Sequence, residues 1–264
     1  MSATMPAALA VFDRILCGVD GTPESLEAVR QAERLRSADG TLGLGAVMEV
    51  NTAVHAGFAM SRVLQELEVA AEDGLRRSAN EAQLATSHLL AGEPAPSLLD
   101  EIERANATLV AVGPRGHSRA AGILLGGVAA RLLHEAPCSV LLARPPQFGE
   151  FPSSIIVGVD GSPQSLAAAA VARAIAERFG SEYLIVAATG GQRIDLPPIQ
   201  ALSSYFVTDP GRPADVLAEL SKEADLLVVG SRGLHGPRAL GSVSERVGHR
   251  AASSVLVVRA QEAL

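Results

Sequence analysis

Two aspartates and two glycine loops are the residues of this chain whose types and spacing can do chemistry. Asp20 closes Gly18-Val19-Asp20 and leads into Gly21-Thr22-Pro23-Glu24-Ser25-Leu26, and the stretch returns 140 residues later as Gly158-Val159-Asp160-Gly161-Ser162-Pro163-Gln164-Ser165-Leu166. Further along each half an apolar run ends in a glycine loop, Gly113-Pro114-Arg115-Gly116 or Gly230-Ser231-Arg232-Gly233. A second glycine signal, Gly126-Gly127 or Gly241-Ser242, then opens a helical pattern that continues with Val128 or Val243. Glycine lets backbone N–H groups approach a ligand closely, and a helix N-terminus presents unpaired N–H groups at its positive end. With Arg115 or Arg232 adding charge, this is a phosphate cradle built without lysine. A carboxylate on the opposite lip accepts from ribose hydroxyls or an adenine amine, so the pair suits a nucleotide. The competing reading is local: the loop glycines permit a sharp turn after a strand, and Asp-Gly is itself a turn dipeptide.

These residues need elements to place them. Each aspartate follows an apolar run, Arg14-Ile15-Leu16-Cys17 or Ser154-Ile155-Ile156-Val157, and precedes a helical pattern that Thr22 or Ser162 caps and Pro23 or Pro163 starts. The first half reads as strand Asp13–Asp20, helix from Pro23 to about Ala38, strand Thr41–Val50 and a long helix over 60–83 with Leu64, Leu67, Ala71 and Leu75 at helical spacing. Strand 87–91, a helix ending near Arg104, strand Thr108–Val112, a helix carrying Leu132 and Leu133, and strand Ser139–Ala143 complete it. The second half repeats the scheme, but Thr189 to Pro198 is too broken by Gly and Pro to form the long second helix. The pattern gives an α/β protein of two tandem, doubly wound, five-stranded parallel-sheet domains, residues 1–145 and 153–264. The segment 146–152, rich in proline, is the linker.

Composition narrows the chemistry. Hydrophobic residues make up 48% and aromatics 3%, with no tryptophan, so the core must be Val, Leu, Ile and Ala, as in strands buried on both faces. A net charge of −7 supplies no basic face for nucleic acid. No apolar run reaches the roughly 18 residues of a membrane span, and the N-terminus lacks a signal-peptide pattern, so a cytoplasmic location is expected. Lys222 is the sole lysine, which excludes a Walker-type loop and makes a Schiff base improbable. Cys17 and Cys138 read as buried thiols, and the histidines (His117 and His235 follow the loops) show no metal spacing. No Ser-His-Asp order, HExxH or cysteine cluster supports a hydrolase. A phospho-receiver would need a second strand-end acid and a lysine near the last strand. Gly248 inside a helical pattern costs about 1 kcal/mol against alanine and has no explanation at this level.

With these residues the chain resembles a tandem universal stress protein over nearly all its length. Nucleotide-binding members of that family carry G-x2-G-x9-G-[ST] after the fourth strand and an Asp at the end of the first. Gly113, Gly116 and Gly126 match, with Gly127 where Ser or Thr is expected; Gly230, Gly233, Gly241 and Ser242 match with a shorter loop between Gly233 and Gly241. The resemblance implies an adenine nucleotide alpha hydrolase-like fold with flavodoxin-like layering, and adenine contacts at Val47 and Ala188. It also implies ATP, with or without Mg2+, as ligand and a regulatory, non-catalytic stress role. The alternative is a stress protein that binds no nucleotide and acts by pairing with partners. Single-domain relatives dimerise through their fifth strands. The corresponding strands here, Ser139–Ala143 and Ser254–Val258, are short, apolar and uncharged, so an antiparallel pseudo-dimer within one chain is expected, with a homodimer also open.

Overall fold

The structure, a computed structural model, describes residues 11–50, 60–82, 85–115, 125–191, 196–202, 206–231 and 242–259. The N-terminal strands are β1 (Phe12–Gly18), β2 (Arg36–Met48), β3 (Thr86–Ala91), β4 (Leu109–Val112) and β5 (Ser139–Leu142). The C-terminal strands are β6 (Ser154–Gly158), β7 (Glu182–Ala188), β8 (Val207–Asp209), β9 (Leu226–Ser231) and β10 (Ser254–Arg259). All ten lie in one sheet, ordered β3-β2-β1-β4-β5-β10-β9-β6-β7-β8. Every neighbouring pair is parallel except β5 and β10. Strand order reverses between β1 and β4, and again between β6 and β9. Those are the two positions where a doubly wound sheet opens a crevice.

Side chains alternate across the sheet into two aliphatic cores. Ile15, Cys17, Leu141 and Leu256 face one side; Leu16, Val140, Leu142, Val255 and Val257 face the other. The first core is covered by α1 (Pro23–Leu35), α2 (Met60–Ala79), α5 (Pro163–Phe179) and the short α6 (Leu196–Leu202). The second is covered by α3 (Pro94–Arg104), α4 (Gly127–Glu135), α7 (Pro213–Leu220) and α8 (Ser242–Arg250). Ile199 of α6 is fully buried, so this short helix shields apolar surface where the second half has no long helix. Thr22 and Ser162 accept from Ser25 N (3.2 Å) and Ser165 N (3.3 Å), and a proline follows each cap.

One boundary and the seating of one helix differ from the sequence reading. Helix α1 stops at Leu35, because Arg36 turns extended at once and pairs with Phe12. The register then shifts before Arg14 meets Thr41, and the extra residues are held by Ser37 Oγ donating to Phe12 O (3.1 Å) and Arg36 Nη1 donating to Gly40 O (2.9 Å). In α2 only the C-terminal part seats deeply: Leu75 is buried, whereas Leu64 and Leu67 are half-buried and belong to neither core. Tyr205, just before β8, lies outside the described residues.

Strands β5 and β10 pair in antiparallel register, Val140 with Val257, Leu141 with Leu256 and Leu142 with Val255. Two arginines clasp the pair from opposite ends. Arg144, just past β5, donates to Gly248 O (2.8 Å) and Ser253 O (3.2 Å), and its N–H donates to Ser254 Oγ (2.9 Å). Arg259, at the end of β10, donates through Nη2 to Leu133 O, and its N–H donates to Ser139 Oγ (3.2 Å). Each guanidinium thus meets carbonyls near the C-terminus of the other half's last helix, where cations are favoured. The match is imperfect: Arg259 Nε and Nη1 are buried and find no acceptor among the described residues. Gly248 finds its explanation here, since a Cβ would lie 2.9 Å from Leu133 Cδ1 and 3.3 Å from Leu142 Cδ1. A side chain there would have to displace the Leu133 methyl.

The linker is tied down by one carboxylate. Asp225 is 1% exposed and accepts from Gln147 N (2.9 Å), Phe148 N (3.1 Å), Ser153 N (3.1 Å) and Ser153 Oγ. Burial pushes its pKa up, but the bonds from Ser153, Gln147 and Phe148 outweigh burial and hold it below the ordinary value. A depressed folded pKa stabilises the native state above the unfolded pKa of about 3.9, and that stability is lost as pH falls through the folded value. Asp225→Asn should therefore cost about 1–3 kcal/mol at pH 7, with the gap to wild type narrowing below about pH 4. Denaturant melts at several pH values check this; a pH-independent gap would contradict it.

Candidate functional site

The acidic turns are built alike in the two halves. Gly21 (φ +75°) and Gly161 (φ +82°) adopt the left-handed conformation that glycine takes without strain. This brings Asp20 Oδ1 into reach of Thr22 N (3.0 Å) and Thr22 Oγ1 (2.6 Å), and Asp160 Oδ1 into reach of Ser162 N (3.0 Å). Ser25 Oγ and Ser165 Oγ accept from the aspartate N–H groups at 3.4 and 3.3 Å. One carboxylate oxygen in each half is therefore committed to shaping its own turn. The turns differ in cover. A Cβ on Gly74 of α2 would lie 3.3 Å from the carbonyl carbon of Asp20, and one on Gly21 would lie 2.8 Å from Arg77 Nη2. Gly21 and Thr22 are buried under this helix and Asp20 is half-buried, whereas Asp160 is exposed. Gly74 and Arg77 were not singled out from sequence. A glycine within the α2 pattern is the signal that could have drawn attention to them.

The glycines do two separate jobs. Gly113 follows β4, and a Cβ there would stand 2.8–3.0 Å from Glu24 Cβ and the Glu24 carbonyl. Gly230, at the end of β9, would place a Cβ 2.4 Å from Gln164 O and 2.8 Å from Ser165 N. The strand ends rest directly on the first turn of α1 or α5, so packing alone demands both glycines. Gly126 and Gly127 are different. Gly126 donates to Pro114 O (2.7 Å) and occupies the N-cap of α4 without any side-chain cap. Among the described residues, apart from its chain neighbours and its own helix, no atom lies within 4 Å of where a Cβ on Gly127 would stand. None of them requires glycine at 127, and the first N–H groups of α4 have no side-chain cap.

The remaining candidates fall around these groups. Val128 and Val243 pack their side chains on the second core, so what they can offer a ligand is backbone N–H. Val47 is half-buried on β2, and Ala188 is buried at the end of β7, in register with Asp209. Arg115 is exposed. It lies close enough to Arg144 to add to burial in lowering the Arg144 pKa to about 10, which keeps Arg144 charged at neutral pH. In the second half, Ser244 Oγ donates to Gly230 O (3.0 Å), fastening the start of α8 to the end of β9. Gly116, Arg232, Gly233, Gly241, His117, His235 and the Ser242 side chain lie outside the described residues. Cys17 and Cys138 are buried; desolvation raises both thiol pKa values, that of Cys138 to about 12. Among the described residues no group of three His, Cys, Asp or Glu could hold a metal ion. No helix among them is long and apolar enough to cross a membrane.

A doubly wound sheet with an acidic turn at each switch point is the architecture on which the candidate site rests. The chain belongs to the universal stress protein family, whose model matches residues 12–144 and 198–259. A universal stress protein of Mycolicibacterium smegmatis is 30% identical over 289 aligned residues, covering 93% of this chain and 96% of that protein. Universal stress protein Rv2623 of Mycobacterium tuberculosis is 29% identical, with 93% and 96% covered. Among solved structures, a universal stress protein from Archaeoglobus fulgidus aligns with a TM-score of 0.69 at 22% identity, covering 96% of this chain and 97% of that one. A protein of Pseudomonas aeruginosa titled as a putative universal stress protein also gives 0.69, at 17% identity, with 96% and 95% covered. These structural likenesses establish the shared fold. Membership of the family carries a stress-response role.

The two kinds of glycine separate by mutation. Gly230→Ala should destabilise by at least about 1–3 kcal/mol, because its Cβ meets backbone that cannot yield. Gly127→Ala should leave stability unchanged or raise it by up to about 1 kcal/mol. Equal losses for the two variants in thermal melts would contradict the distinction.

Proposed function

We propose that the chain binds an adenine nucleotide, ATP with or without Mg2+, and works as a cytoplasmic stress-response regulator without a dedicated catalytic site. The observation that carries this reading is the start of α4 at Gly126–Gly127, which has no side-chain cap, stands next to Pro114 and Arg115, and has no described residue packed against the Cβ position of Gly127. Among the described residues nothing requires glycine there, and N–H groups at a helix N-terminus are suited to phosphate. In this reading Gly113, Gly116, Gly126, Gly127 and the Val128 N–H hold the phosphates, with Arg115 adding charge. Asp20 faces ribose hydroxyls or the adenine amine, and Val47 lies against the base. The second half repeats the set with Asp160, Gly161, Ala188, Gly230, Arg232, Gly233, Gly241, Ser242 and Val243. We rank the first half higher, because α2 covers its acidic turn whereas Asp160 stands exposed. The two halves, residues 1–145 and 153–264, then act as an intramolecular pseudo-dimer with one crevice each.

A second reading, a partner-binding protein that takes no nucleotide, is favoured by one observation. Gly113 and Gly230 are demanded by contact with α1 and α5, whatever is bound. Calorimetric titration with ATP separates the two. Wild type should bind, and the double variant Asp20→Ala, Asp160→Ala should lose about ten- to a hundredfold in affinity, as expected for a hydrogen bond to a charged group. No heat from the folded wild type would establish the second reading, and unchanged affinity in the double variant would remove the aspartates from the site.

A further inference from the structure

We propose that the β3 edge of the sheet is a dimerisation surface that takes the β3 strand of a second copy of this chain. Gly92 N donates to Met48 O (3.1 Å), toward β2. By the alternation of a parallel ladder, Ser87, Leu89 and Ala91 turn their N–H and C=O groups outward, away from β2. Such an edge invites another strand unless charge, proline or a bulge protects it. Thr86-Ser87-His88-Leu89-Leu90-Ala91 contains no charged carboxylate, lysine, arginine or proline, and Leu89 is 40% exposed. The opposite edge is guarded: β8 has three residues, ends in Asp209 and runs into Pro210.

The occupant is argued from symmetry and charge. An antiparallel copy with Leu89 facing the partner's Leu89 places Ser87 opposite the partner's Ala91, so all outward-facing groups exchange hydrogen bonds. The same register sets His88 opposite the partner's Leu90. It brings the partner's His88 toward a groove lined by Leu90, Ala91, Ser97, Asp100, Glu101 and Arg104, in which Arg104 is paired with Glu101 (2.7 Å) and Asp100 is an exposed carboxylate. Within each copy the His88 ring also contacts Thr86 Oγ1 (3.1 Å) and Arg104 Nη2 (3.3 Å). The molecule already joins two strands antiparallel at β5 and β10, and the β3 pairing repeats that solution at the outer edge. A two-fold contact closes on itself, and the protected β8 edge keeps the dimer from growing into a filament.

The test uses the full-length protein and a short bis-maleimide cross-linker. Buried Cys17 and Cys138, with raised pKa values, leave the native chain without a reactive thiol. Leu89→Cys should give a covalent dimer under non-reducing and reducing conditions alike, and Val207→Cys on the β8 edge should not. Sedimentation across a concentration series should show a wild-type dimer that Leu89→Lys converts to a monomer with unchanged circular dichroism. A monomeric wild type, equal cross-linking from both edges, cross-linking from Val207→Cys alone, or a Leu89→Lys dimer would each overturn the proposal.

Discussion

The antiparallel contact between β5 and β10 is the constraint on which the rest of the structure depends. It is the one antiparallel neighbour in a sheet otherwise parallel throughout, and it makes two five-stranded arrays continuous. Leu141 and Leu256 are fully buried on one face, and Val140, Leu142, Val255 and Val257 are fully buried on the other. Burying a side chain of this kind stabilises by about 1.5–3 kcal/mol, so the contact is a core in its own right. Because the pair is antiparallel, the C-terminal end of β5 lies beside the N-terminal end of β10. Arg144 and Arg259 thereby each reach the last helix of the other half. The close packing that results sets the Leu133 and Leu142 methyls against Gly248, and a side chain there would have to displace them.

The join bears on both crevices. Helix α4 starts at Gly126–Gly127 without a side-chain cap, and near its end Arg259 holds the Leu133 carbonyl. Helix α8 starts beside Gly230, through Ser244, and ends at the carbonyls that Arg144 holds. Each helix that could present N–H groups to phosphate is thus anchored at its far end by the opposite half. Arg115 sits at one lip while Arg144, whose pKa it helps lower, lies in the join. The first-half turn is also roofed by α2 through Gly74 and Arg77, a cover the second half replaces with the short α6 on another part of the core.

The strands and the helix starts were legible in the sequence for local reasons. Thr22-Pro23 and Ser162-Pro163 encode their caps within a few residues, and the Val, Ile and Leu runs of β4, β9 and β10 announce strands buried on both faces. The end of α1 was not legible, because Arg36-Ser37-Ala38-Asp39-Gly40 has no proline to stop a helix, and its extended form depends on pairing with Phe12. Leu64 and Leu67 have the right spacing for a core face, but depth of seating is set by where α2 crosses the sheet. At the site, sequence showed which glycines recur but not why. Gly113 and Gly230 are explained by contact with residues far away in the chain, Glu24 and Gln164, whereas no described residue outside its own helix and chain neighbours crowds Gly127. The clasp formed by Arg144 and Arg259 was equally hidden, since its acceptors are backbone carbonyls that any sequence supplies.

Hydrogen–deuterium exchange of the intact chain tests most directly whether the two halves are one sheet joined at β5 and β10. The structure requires amides in 140–142 and 255–257 to exchange as slowly as those of the central strands β1 and β4, because both faces and both edges of these strands are covered. Exchange there as fast as in the outer strands β3 and β8 would show the halves folding apart and would contradict the account.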